Sequence, residues 1–423
     1  MRRERLAVGL DVGTTKVCCL VANVVDGIIE IIGMGTSPSR GLEKGVVVDI
    51  GRTIQSVRKA VEEAENMADV RVDNVYVGIA GKHIRSTNNS ATVSITRPDR
   101  IISQEDVRRV VEAARTIPLP PDVELIHVIP RQYIVDGQEG ITDPVGMTGT
   151  RLEVDVHLVM GSVTAVHNLV RCVESLRIGI AQIVLEPLAS SMAVLSSAEK
   201  ELGVVLLDVG GGTTDISIFR GGDIWFSKVI PIAGEHVTND ITVGLQTPIE
   251  EAERIKKEYG TCLVDAVGDD EKVDVATIGG DGTKSVSRKK LAKIIEPRVE
   301  EILDLAMQEV EDAGYRDLIP AGMVITGGTS LLDGIVEFAQ RRYGIPVRRG
   351  RIPQGIHGLR DIVESPIYAT GIGLLKYAVE GRDFARSGQR GRARVGGSGS
   401  WGSGGSGGLF GKLFSWFRKF LRG

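Results

Sequence analysis

The sequence predicts an α/β protein built from two related domains, because one short pattern occurs twice and a similar one occurs once more. In each case an apolar run typical of a buried strand ends in a glycine-containing turn. Residues 6–10 lead into Asp11-Val12-Gly13-Thr14-Thr15-Lys16, and residues 204–207 lead into Asp208-Val209-Gly210-Gly211-Gly212-Thr213-Thr214-Asp215. A third run, 324–326, leads into Gly327-Gly328. Two matching strand–turn–strand hairpins indicate two halves that close on a common site.

Both turns have the chemistry of a phosphate site. Glycines let a polyanion approach backbone N–H groups, threonine hydroxyls add donors, and Lys16 adds a positive charge. The predicted phosphate-binding residues are Asp11, Gly13, Thr14, Thr15, Lys16, Gly210, Gly211, Gly212, Thr213 and Thr214. Asp11 and Asp208 end their strands as carboxylates, which suits a hydrated Mg²⁺ bound through water. A single Asp-x-Gly turn is more often an ordinary tight turn, so the hypothesis depends on the repetition.

The three glycine elements resemble the phosphate-1, phosphate-2 and adenosine motifs of the actin-like ATPase superfamily. The resemblance implies two RNase H-like domains with ATP and Mg²⁺ in the cleft between them. It assigns adenosine contacts to Glu253, Lys256, Gly327 and Gly328, although Glu253 and Lys256 would otherwise be a surface ion pair on a helix. It places Glu186 near the γ-phosphate as a water-orienting residue, but an acid at a helix N-terminus is equally explained by the helix dipole. Hydrolysis is expected to be weak at most.

The composition is that of a globular chain with room for more than one domain: 423 residues, 42% hydrophobic and 25% charged. Its four cysteines have no Cys-x-x-Cys spacing, which favours reduced buried thiols over a redox or metal site, and its six histidines form no metal cluster. No run of about 18 apolar residues predicts a transmembrane helix. The glycine-rich stretch 279–285 lacks P-loop spacing and is interpreted as a hairpin turn.

Hydrophobic periodicity assigns the other elements in order, with Asp26-Gly27 as a hairpin turn. Further predicted strands are 17–25, 28–35, 75–80, 180–184, 216–219 and 224–230. Predicted helices are 50–66, 162–176, 248–259 and 288–313, and others begin at 186 and 369. In the 288–313 helix we expect Ser287 to cap the N-terminus, Leu305 to lie on the buried side, and Pro297 to kink or break the helix.

Residues 83–161 are interpreted as an insertion into the first domain. We predict strands at 92–95, 125–129 and 154–160, a helix at 104–115, and a turn-rich loop with little catalytic chemistry in the stretch 127–153. This stretch is similar to the inserted subdomain of the FtsA family of bacterial cell-division proteins, within the actin-like superfamily. The resemblance covers about residues 5–380 and the last fourteen residues.

The chain ends in two segments of distinct composition. Residues 382–408 are rich in Gly, Ser and Arg, which predicts a flexible linker; RNA binding by its arginines is the less favoured interpretation. Residues 409–423 form an amphipathic pattern at about 100° per residue. Its apolar side consists of Leu409, Phe410, Leu413, Phe414, Trp416, Phe417, Phe420 and Leu421. Its basic side contains Lys412, Arg418, Lys419 and Arg422.

A helix of fourteen residues is about 21 Å long, too short to cross a bilayer. Aromatic residues opposite basic ones instead predict a helix in the interface of an anionic membrane, with a core helix as the alternative. The linker and this segment each carry four net positive charges, whereas the whole chain carries −4. The body is therefore strongly acidic, and attachment to anionic lipid should be local to the tail.

The resemblance implies an ATP-binding protein that polymerises and anchors the FtsZ ring to the cytoplasmic face of the cell membrane at the division site. It suggests that Arg288 and Arg298 contact the acidic C-terminal tail of FtsZ, although each could be an ordinary exposed helix charge. Other division proteins are expected to bind the insertion, and no nucleic acid is expected. A pilus-assembly relative or an actin-fold phosphotransferase remains an alternative, but neither explains both the insertion and the terminal helix.

We expect the chain to divide into six segments, two of which together form the first actin-like domain (1–82 and 162–200). The other four are the insertion (83–161), the second domain (201–381, with a helical subdomain at about 235–315), the linker (382–408) and the membrane helix (409–423).

Overall fold

The computed structural model describes residues 5–279, 282–352 and 355–387, without the side chains of 360, 361 and 381–387. Its strands are β1 (Arg5–Val12), β2 (Lys16–Val25), β3 (Ile28–Pro38), β4 (Leu42–Glu43), β5 (Val46–Val47), β6 (Asn74–Ile79), β7 (Arg85–Ser94), β8 (Val123–Val135), β9 (Gln138–Ile141), β10 (Arg151–Ser162), β11 (Gly179–Leu185), β12 (Val204–Val209), β13 (Thr214–Arg220), β14 (Asp223–Ile230), β15 (Lys272–Ala276), β16 (Thr283–Ser287), β17 (Met323–Thr326), β18 (Val347–Arg349) and β19 (Ile356–Gly358). Its α-helices are α1 (Ile50–Ala68), α2 (Gln104–Arg115), α3 (Val163–Glu174), α4 (Glu186–Val194), α5 (Ser197–Leu202), α6 (Gly234–Leu245), α7 (Ile249–Tyr259), α8 (Arg288–Asp312), α9 (Ile335–Tyr343), α10 (Arg360–Val363) and α11 (Ala369–Ser387). The predicted membrane helix and nearly all of the predicted linker lie outside the described residues.

The first domain is built on a six-stranded sheet of order β11-β6-β1-β2-β3-β19. Strands β1, β2 and β3 are antiparallel neighbours, whereas β6 is parallel to β1 and β11 is parallel to β6. Side chains alternate along β1. Leu10 packs in the core shared with α1 and α3, and Ala7 packs in the core shared with α4 and α11. Both faces of the sheet are buried, which explains the nearly continuous apolar runs of β1 and β2.

The second domain repeats this arrangement in a five-stranded sheet of order β14-β13-β12-β17-β18. Strands β12 and β13 form an antiparallel hairpin, and β17 lies parallel to β12 as β6 lies to β1. Its largest core is closed by side chains from α6, α7, α8 and α9. The prediction of two related halves is therefore confirmed. In each half, the first strand of the hairpin carries an aspartate near its end.

Helix α8 differs in part from the prediction. It continues through Pro297, so of the two predicted effects the break does not occur, and the kink stays a prediction. Leu305 is 38% exposed, so its assignment to the buried side is wrong; Leu303 and Ala306, which follow the helical period from Leu291, lie in the core instead. Ser287 occupies the cap position but its side chain makes no capping hydrogen bond. The Arg288 N–H instead donates to the Glu271 carbonyl, because the chain leaves the β15–β16 pair there.

The insertion forms its own antiparallel sheet, β7-β10-β8-β9, with α2 packed against it. The prediction of a turn-rich loop is wrong for residues 127–135, which continue strand β8. Proline has no N–H to donate to a neighbouring strand, so a proline within a strand predicts an interruption. Here Gln132 pairs with Asp155 and Pro130 with Val156, which leaves Arg131 as a bulge that lets the strand continue.

All four cysteines are buried and free, as expected from their spacing. Cys18 and Cys19 lie in β2, Cys172 in α3 and Cys262 after α7. Burial raises the pKa of Cys18 to about 12 and that of Cys172 to about 11. No helix within the described ranges has the length and apolar character needed to cross a bilayer.

The inserted subdomain also covers β14, an edge strand of the second domain. The His157 ring donates from Nδ1 to Asn88 Oδ1 (2.7 Å) and accepts at Nε2 from Ser227 Oγ (2.9 Å). Asn88 Nδ2 donates to the Trp225 carbonyl (3.2 Å), and Ser86 Oγ donates to the Ser227 carbonyl (2.6 Å). The Asn88 Oδ1 atom can only accept, so Nδ1 of His157 carries a proton, and in the neutral ring Nε2 accepts from the Ser227 hydroxyl. The insertion therefore links the two main domains through a buried polar contact.

Burial, with Arg131 and His127 nearby, lowers the pKa of His157 to about 4. In the unfolded chain the pKa should be near 6.5, so between about pH 6.5 and pH 4 the unfolded state binds more protons and folding weakens as pH falls. The test compares the free energy of unfolding of wild type with that of a His157→Asn variant. We expect the difference, wild type minus variant, to fall by about 2 kcal/mol between pH 7 and pH 4.5.

Urea unfolding followed by tryptophan fluorescence would measure this difference. Asp11 and Asp223, whose pKa values burial raises to about 6, act in the opposite direction, but they titrate in both proteins and cancel in the comparison. Parallel pH dependence in the two proteins would contradict the prediction.

Candidate functional site

The structure brings the two glycine–threonine turns into direct contact. Each is closed in the same way, by Gly13 N–H donating to the Lys16 carbonyl and Gly210 N–H donating to the Thr213 carbonyl, both at 3.0 Å. A Cβ on Gly211 would lie only 2.2 Å from Thr15 Cγ2. Glycine is therefore required where the turns meet. Among the predicted phosphate-binding residues, Thr214 is fully buried and its hydroxyl donates to the Ile232 carbonyl at 2.7 Å.

Four carboxylates lie behind this contact. Asp11 and Asp208 come from β1 and β12, Asp215 from β13, and Glu186 from the start of α4. Burial raises the pKa of Asp11 to about 6, with Lys16 opposing the shift and Asp208 adding to it. Burial and neighbouring carboxylates also raise the pKa values of Glu186 and Asp215 well above the usual range. Without a cation, the surrounding protein therefore favours the protonated forms of these acids.

Asp208 is the best supported of these acids. Its Oδ2 accepts from Ser190 Oγ at 2.5 Å and from Thr370 Oγ1 at 3.5 Å. Burial raises its pKa, while the two hydroxyls and Lys16 oppose that rise. Asp215 has no such support, because its buried Oδ1 has no hydrogen-bond partner. An unpartnered carboxylate oxygen beside other acids suits a cation or an ordered water.

The acids do not form a direct metal cage. Among the described residues, no three His, Cys, Asp or Glu side chains are grouped closely enough to hold an ion together. This arrangement fits Mg²⁺, which keeps several waters and takes few protein ligands. Binding of Mg²⁺ through water by Asp11 and Asp208 therefore stays a prediction. Asp215 lies beside these two acids, although it was not among the metal-binding residues predicted from the sequence.

Lys16 ends the first turn, but its side chain contacts the segment that precedes α11. Its Nζ donates to the Ile367 carbonyl at 3.0 Å and lies 4.3 Å from the centre of the Tyr368 ring. The lysine is thus fixed by the segment that leads into α11. Its assignment to a phosphate remains a prediction.

The predicted adenosine residues lie close to the second turn. Lys256 Nζ pairs with Glu253 Oε2 at 2.6 Å and donates to the Gly234 carbonyl at 3.1 Å. Gly234 N–H in turn donates to the Gly210 carbonyl (3.1 Å), which also accepts from Thr329 Oγ1 (2.8 Å). The Lys256 side chain is only 13% exposed, so the pair is not an ordinary solvated surface bridge.

Gly327 and Gly328 immediately precede Thr329. Gly327 has a φ of 81°, and a Cβ there would lie 2.4 Å from Asp208 Oδ1. The third glycine element is thus packed against both the second turn and the acid cluster. Sequence reasoning did not single out Thr329, although it lies in the third glycine element, and it missed Gly234, Ser190 and Thr370, which lie in segments with no phosphate-type pattern of their own.

Arg288 and Arg298 lie on α8 and already have acidic partners. The Arg288 guanidinium contacts Glu271 at 2.7 Å and donates to the Tyr259 carbonyl at 2.9 Å. Arg298 contacts Asp240 at 2.5 Å and also pairs with Glu301. An acidic peptide would have to share or displace these carboxylates, so the predicted contact remains a prediction.

Two hairpin-centred sheets that face each other through glycine turns, with acids behind the turns, define an actin-like ATPase fold. Solved structures agree on the fold. The PilM–PilN type IV pilus biogenesis complex matches with a TM-score of 0.65 at 17% identity, covering 88% of this chain and 98% of that one. MreB5 of Spiroplasma citri bound to AMPPNP matches with a TM-score of 0.55 at 15% identity, covering 91% and 99%.

Sequence comparison is more specific. The family model for cell division protein FtsA matches residues 205–373, and the model for the SHS2 domain inserted in FtsA matches residues 81–160. Cell division protein FtsA of Pseudomonas aeruginosa is 47% identical over 377 residues, which cover 89% of this chain and 90% of the relative. FtsA of Escherichia coli K12 is 40% identical over 385 residues, covering 89% and 91%. The chain belongs to the FtsA family of cell division proteins.

The contact between the turns predicts a steric effect that one partner can relieve. Replacing Gly211 with Ala should lower the free energy of unfolding by about 1 to 3 kcal/mol, because the new methyl overlaps Thr15 Cγ2. Adding Thr15→Ser removes that methyl group and should recover part of the loss.

Chemical unfolding of the single and double variants would measure both effects. Gly51→Ala is the control, because a Cβ there meets nothing closer than 3.5 Å. Equal stability of Gly211→Ala and wild type would show that the turns do not meet as described.

Proposed function

We propose that this chain binds Mg·ATP between its two domains and uses it to support assembly of an actin-like polymer that anchors the FtsZ ring to the cytoplasmic membrane. The observation that carries the nucleotide part is the meeting of the two turns in front of a cluster of four acids. Membership of the FtsA family supports the role in division. The S. citri relative of the same fold is bound to AMPPNP, a nucleotide, which is consistent with this assignment.

The residues around the cleft can take defined parts in such a site. The glycine and threonine N–H and hydroxyl groups of both turns would hold phosphates, and Glu253, Lys256, Gly327 and Gly328 would border the adenosine. Asp11 and Asp208 would bind the hydrated Mg²⁺, with Asp215 as a third acid. The divalent ion supplies the positive charge that lets phosphates approach so many carboxylates. Glu186 would orient a water molecule for slow hydrolysis.

The division of the chain is part of the same proposal, with one correction: residues 356–358, assigned to the second domain, form strand β19 in the sheet of the first domain, beside β3. The insertion would bind other division proteins, α8 with Arg288 and Arg298 would receive the acidic FtsZ tail, and residues 382–408 would tether the body to the membrane helix 409–423. One short helix binds membrane weakly, because ordering its backbone offsets much of the gain from burying its apolar side. Several tails on one polymer would bind cooperatively, so assembly and membrane attachment should be coupled.

The two alternatives have less support. A pilus-assembly role is represented by the PilM–PilN structure, but at 17% identity that likeness concerns the fold alone. A phosphotransferase would need a base that activates a second substrate in the cleft. Neither alternative accounts for a match to the FtsA insertion at residues 81–160.

Replacing Asp208 with Asn should weaken ATP binding only when Mg²⁺ is present. We expect the Kd for Mg·ATP to rise by about 10- to 100-fold, which is the usual cost of removing a group that supports a metal. In EDTA the variant should bind ATP as well as wild type or better, because one repulsive carboxylate is gone.

Titration with a fluorescent ATP analogue, with Mg²⁺ and with EDTA, would test this. Asp223→Asn is the matched control, since Asp223 is a half-buried acid of raised pKa on β14. Unchanged Mg·ATP affinity in the Asp208 variant would remove this residue from the site, and failure of wild type to bind ATP would refute the nucleotide proposal.

The proposed binding of residues 409–423 to the membrane can be tested by placing negative charges on the apolar side of that segment. Replacing Trp416 and Phe417 with Glu should reduce co-sedimentation with anionic liposomes by about tenfold or more, because two large apolar side chains become charged. Trp401→Glu, the same kind of change within the linker, is the control. A labelled acidic FtsZ-tail peptide should pellet with wild type and the control but not with the double variant. Pelleting of the double variant at the wild-type level would contradict the tail assignment.

A further inference from the structure

The inserted subdomain contacts the start of α4, the helix that carries Glu186. Strand β11 ends at Leu185 and is an edge strand of the first sheet, so its outer backbone groups have no neighbouring strand. The Leu185 N–H is satisfied across this edge by His127 Nε2, at 3.0 Å. Leu185 is also the N-cap of α4, and its apolar side chain makes no capping bond. His127 therefore holds the backbone at the residue immediately before Glu186.

The chemical state of His127 suits this contact. The ring is 7% exposed, and burial lowers its pKa to about 4. At neutral pH the ring is uncharged, with its proton on Nδ1 and a free electron pair on Nε2 that accepts the Leu185 N–H. A leucine in its place could not accept this bond and would leave a buried N–H unpaired, which is costly.

The middle and end of helix α4 are fixed by contacts of their own: Ser190 Oγ donates to Asp208 Oδ2, and the Met192 and Val194 carbonyls accept from Lys376 Nζ (2.9 Å) and an Arg348 guanidinium N–H (2.8 Å). On one side the helix packs against α11, where Gly373 allows such close approach that a Cβ there would lie 1.8 Å from the Ala189 carbonyl oxygen.

At the start of α4, Glu186 lies against Gly78 of β6. Leu185 is also paired with Ile79 of β6, on the inner side of β11. On the outer side, the hydrogen bond from the Leu185 N–H to His127 connects the start of α4 to the inserted subdomain.

His127 is itself held rigidly. It lies in β8, where it is paired with Val159 of β10, and β10 runs directly into α3 of the first domain. Movement of β8 would thus displace the first residue of α4 and the carboxylate that faces Asp11, Asp208 and Asp215.

We propose that His127 of the inserted subdomain is a positioning residue that sets the geometry of Glu186 through the Leu185 N–H, so that the insertion acts on ATP hydrolysis from outside the nucleotide cleft. The proposal rests on the nucleotide function proposed above. It assigns to the insertion an effect on turnover rather than on nucleotide binding, because the hydrogen bond to His127 comes from Leu185, beside Glu186, and not from a phosphate-turn or adenosine residue. A partner that displaces β8 would alter turnover by the same route.

Three variants of the full chain test this proposal: His127→Leu, which removes the acceptor; His127→Gln, whose amide oxygen restores one at similar reach; and Glu186→Gln as the reference. The measurements are single-turnover hydrolysis with enzyme in excess and the Kd for Mg·ATP. We expect His127→Leu to lower the hydrolysis rate by about tenfold, as small misplacements of catalytic groups do, with Kd changed by less than about twofold. His127→Gln should recover most of the rate.

Every other outcome contradicts the proposed role of His127 or the nucleotide function on which it rests. Hydrolysis at the wild-type rate by His127→Leu overturns the proposal, as does an ATP-binding wild type without measurable hydrolysis. Equal loss of affinity and rate in His127→Leu, or no recovery in His127→Gln, shows a merely structural role and also overturns it. Failure of wild type to bind Mg·ATP refutes the nucleotide function itself, and is distinguished from the other outcomes by the Kd measurement.

Discussion

The architecture depends on the close approach of two backbone turns from separate domains. Thr14 and Thr15 of the first turn lie against Gly211 and Gly212 of the second, with no room for a further carbon atom between them. The strands behind the turns deliver acids to the same region, and their burial keeps those acids poorly solvated. The domains thus meet where buried acids lie close together and where an added methyl group has no room. Any ligand that neutralises the acids strengthens the contact between domains, which is the physical basis for coupling ligand binding to domain arrangement.

Much of this could be predicted because the pattern is local. An apolar run followed by Asp, Gly and Thr specifies strand, turn and polar surface within about ten residues, and its repetition indicated two similar halves. Resemblance to a known family supplied what periodicity could not, namely the cleft and the identity of the insertion. The turn residues, Glu253 with Lys256, and Gly327 with Gly328 all lie around one region, as their motifs suggested.

Other features could not be predicted because they depend on tertiary contacts. Ser190 and Thr370 support Asp208 from two different helices, α4 and α11, and nothing in their local segments marks them. The predicted strand 125–129 continues through Pro130 to Val135, because a bulge opposite Asp155 and Val156 accommodates the proline. Leu305 fitted an apolar pattern yet lies on the exposed side of α8, because the core follows Leu303 and Ala306. The histidines of the insertion looked scattered, although two of them join it to the main domains.

The burial of the four cysteines has a practical consequence for studying domain motion. Alkylating reagents attack the thiolate, and a thiol that is buried and has a raised pKa offers neither access nor the reactive form at neutral pH. The chain contains four cysteines in all, and each is buried in the folded protein. The native sequence can therefore serve as its own unreactive background. A pair of cysteines introduced on the exposed surfaces of the two domains would accept fluorophores or spin labels selectively, so distances across the cleft could be followed without first removing any natural residue.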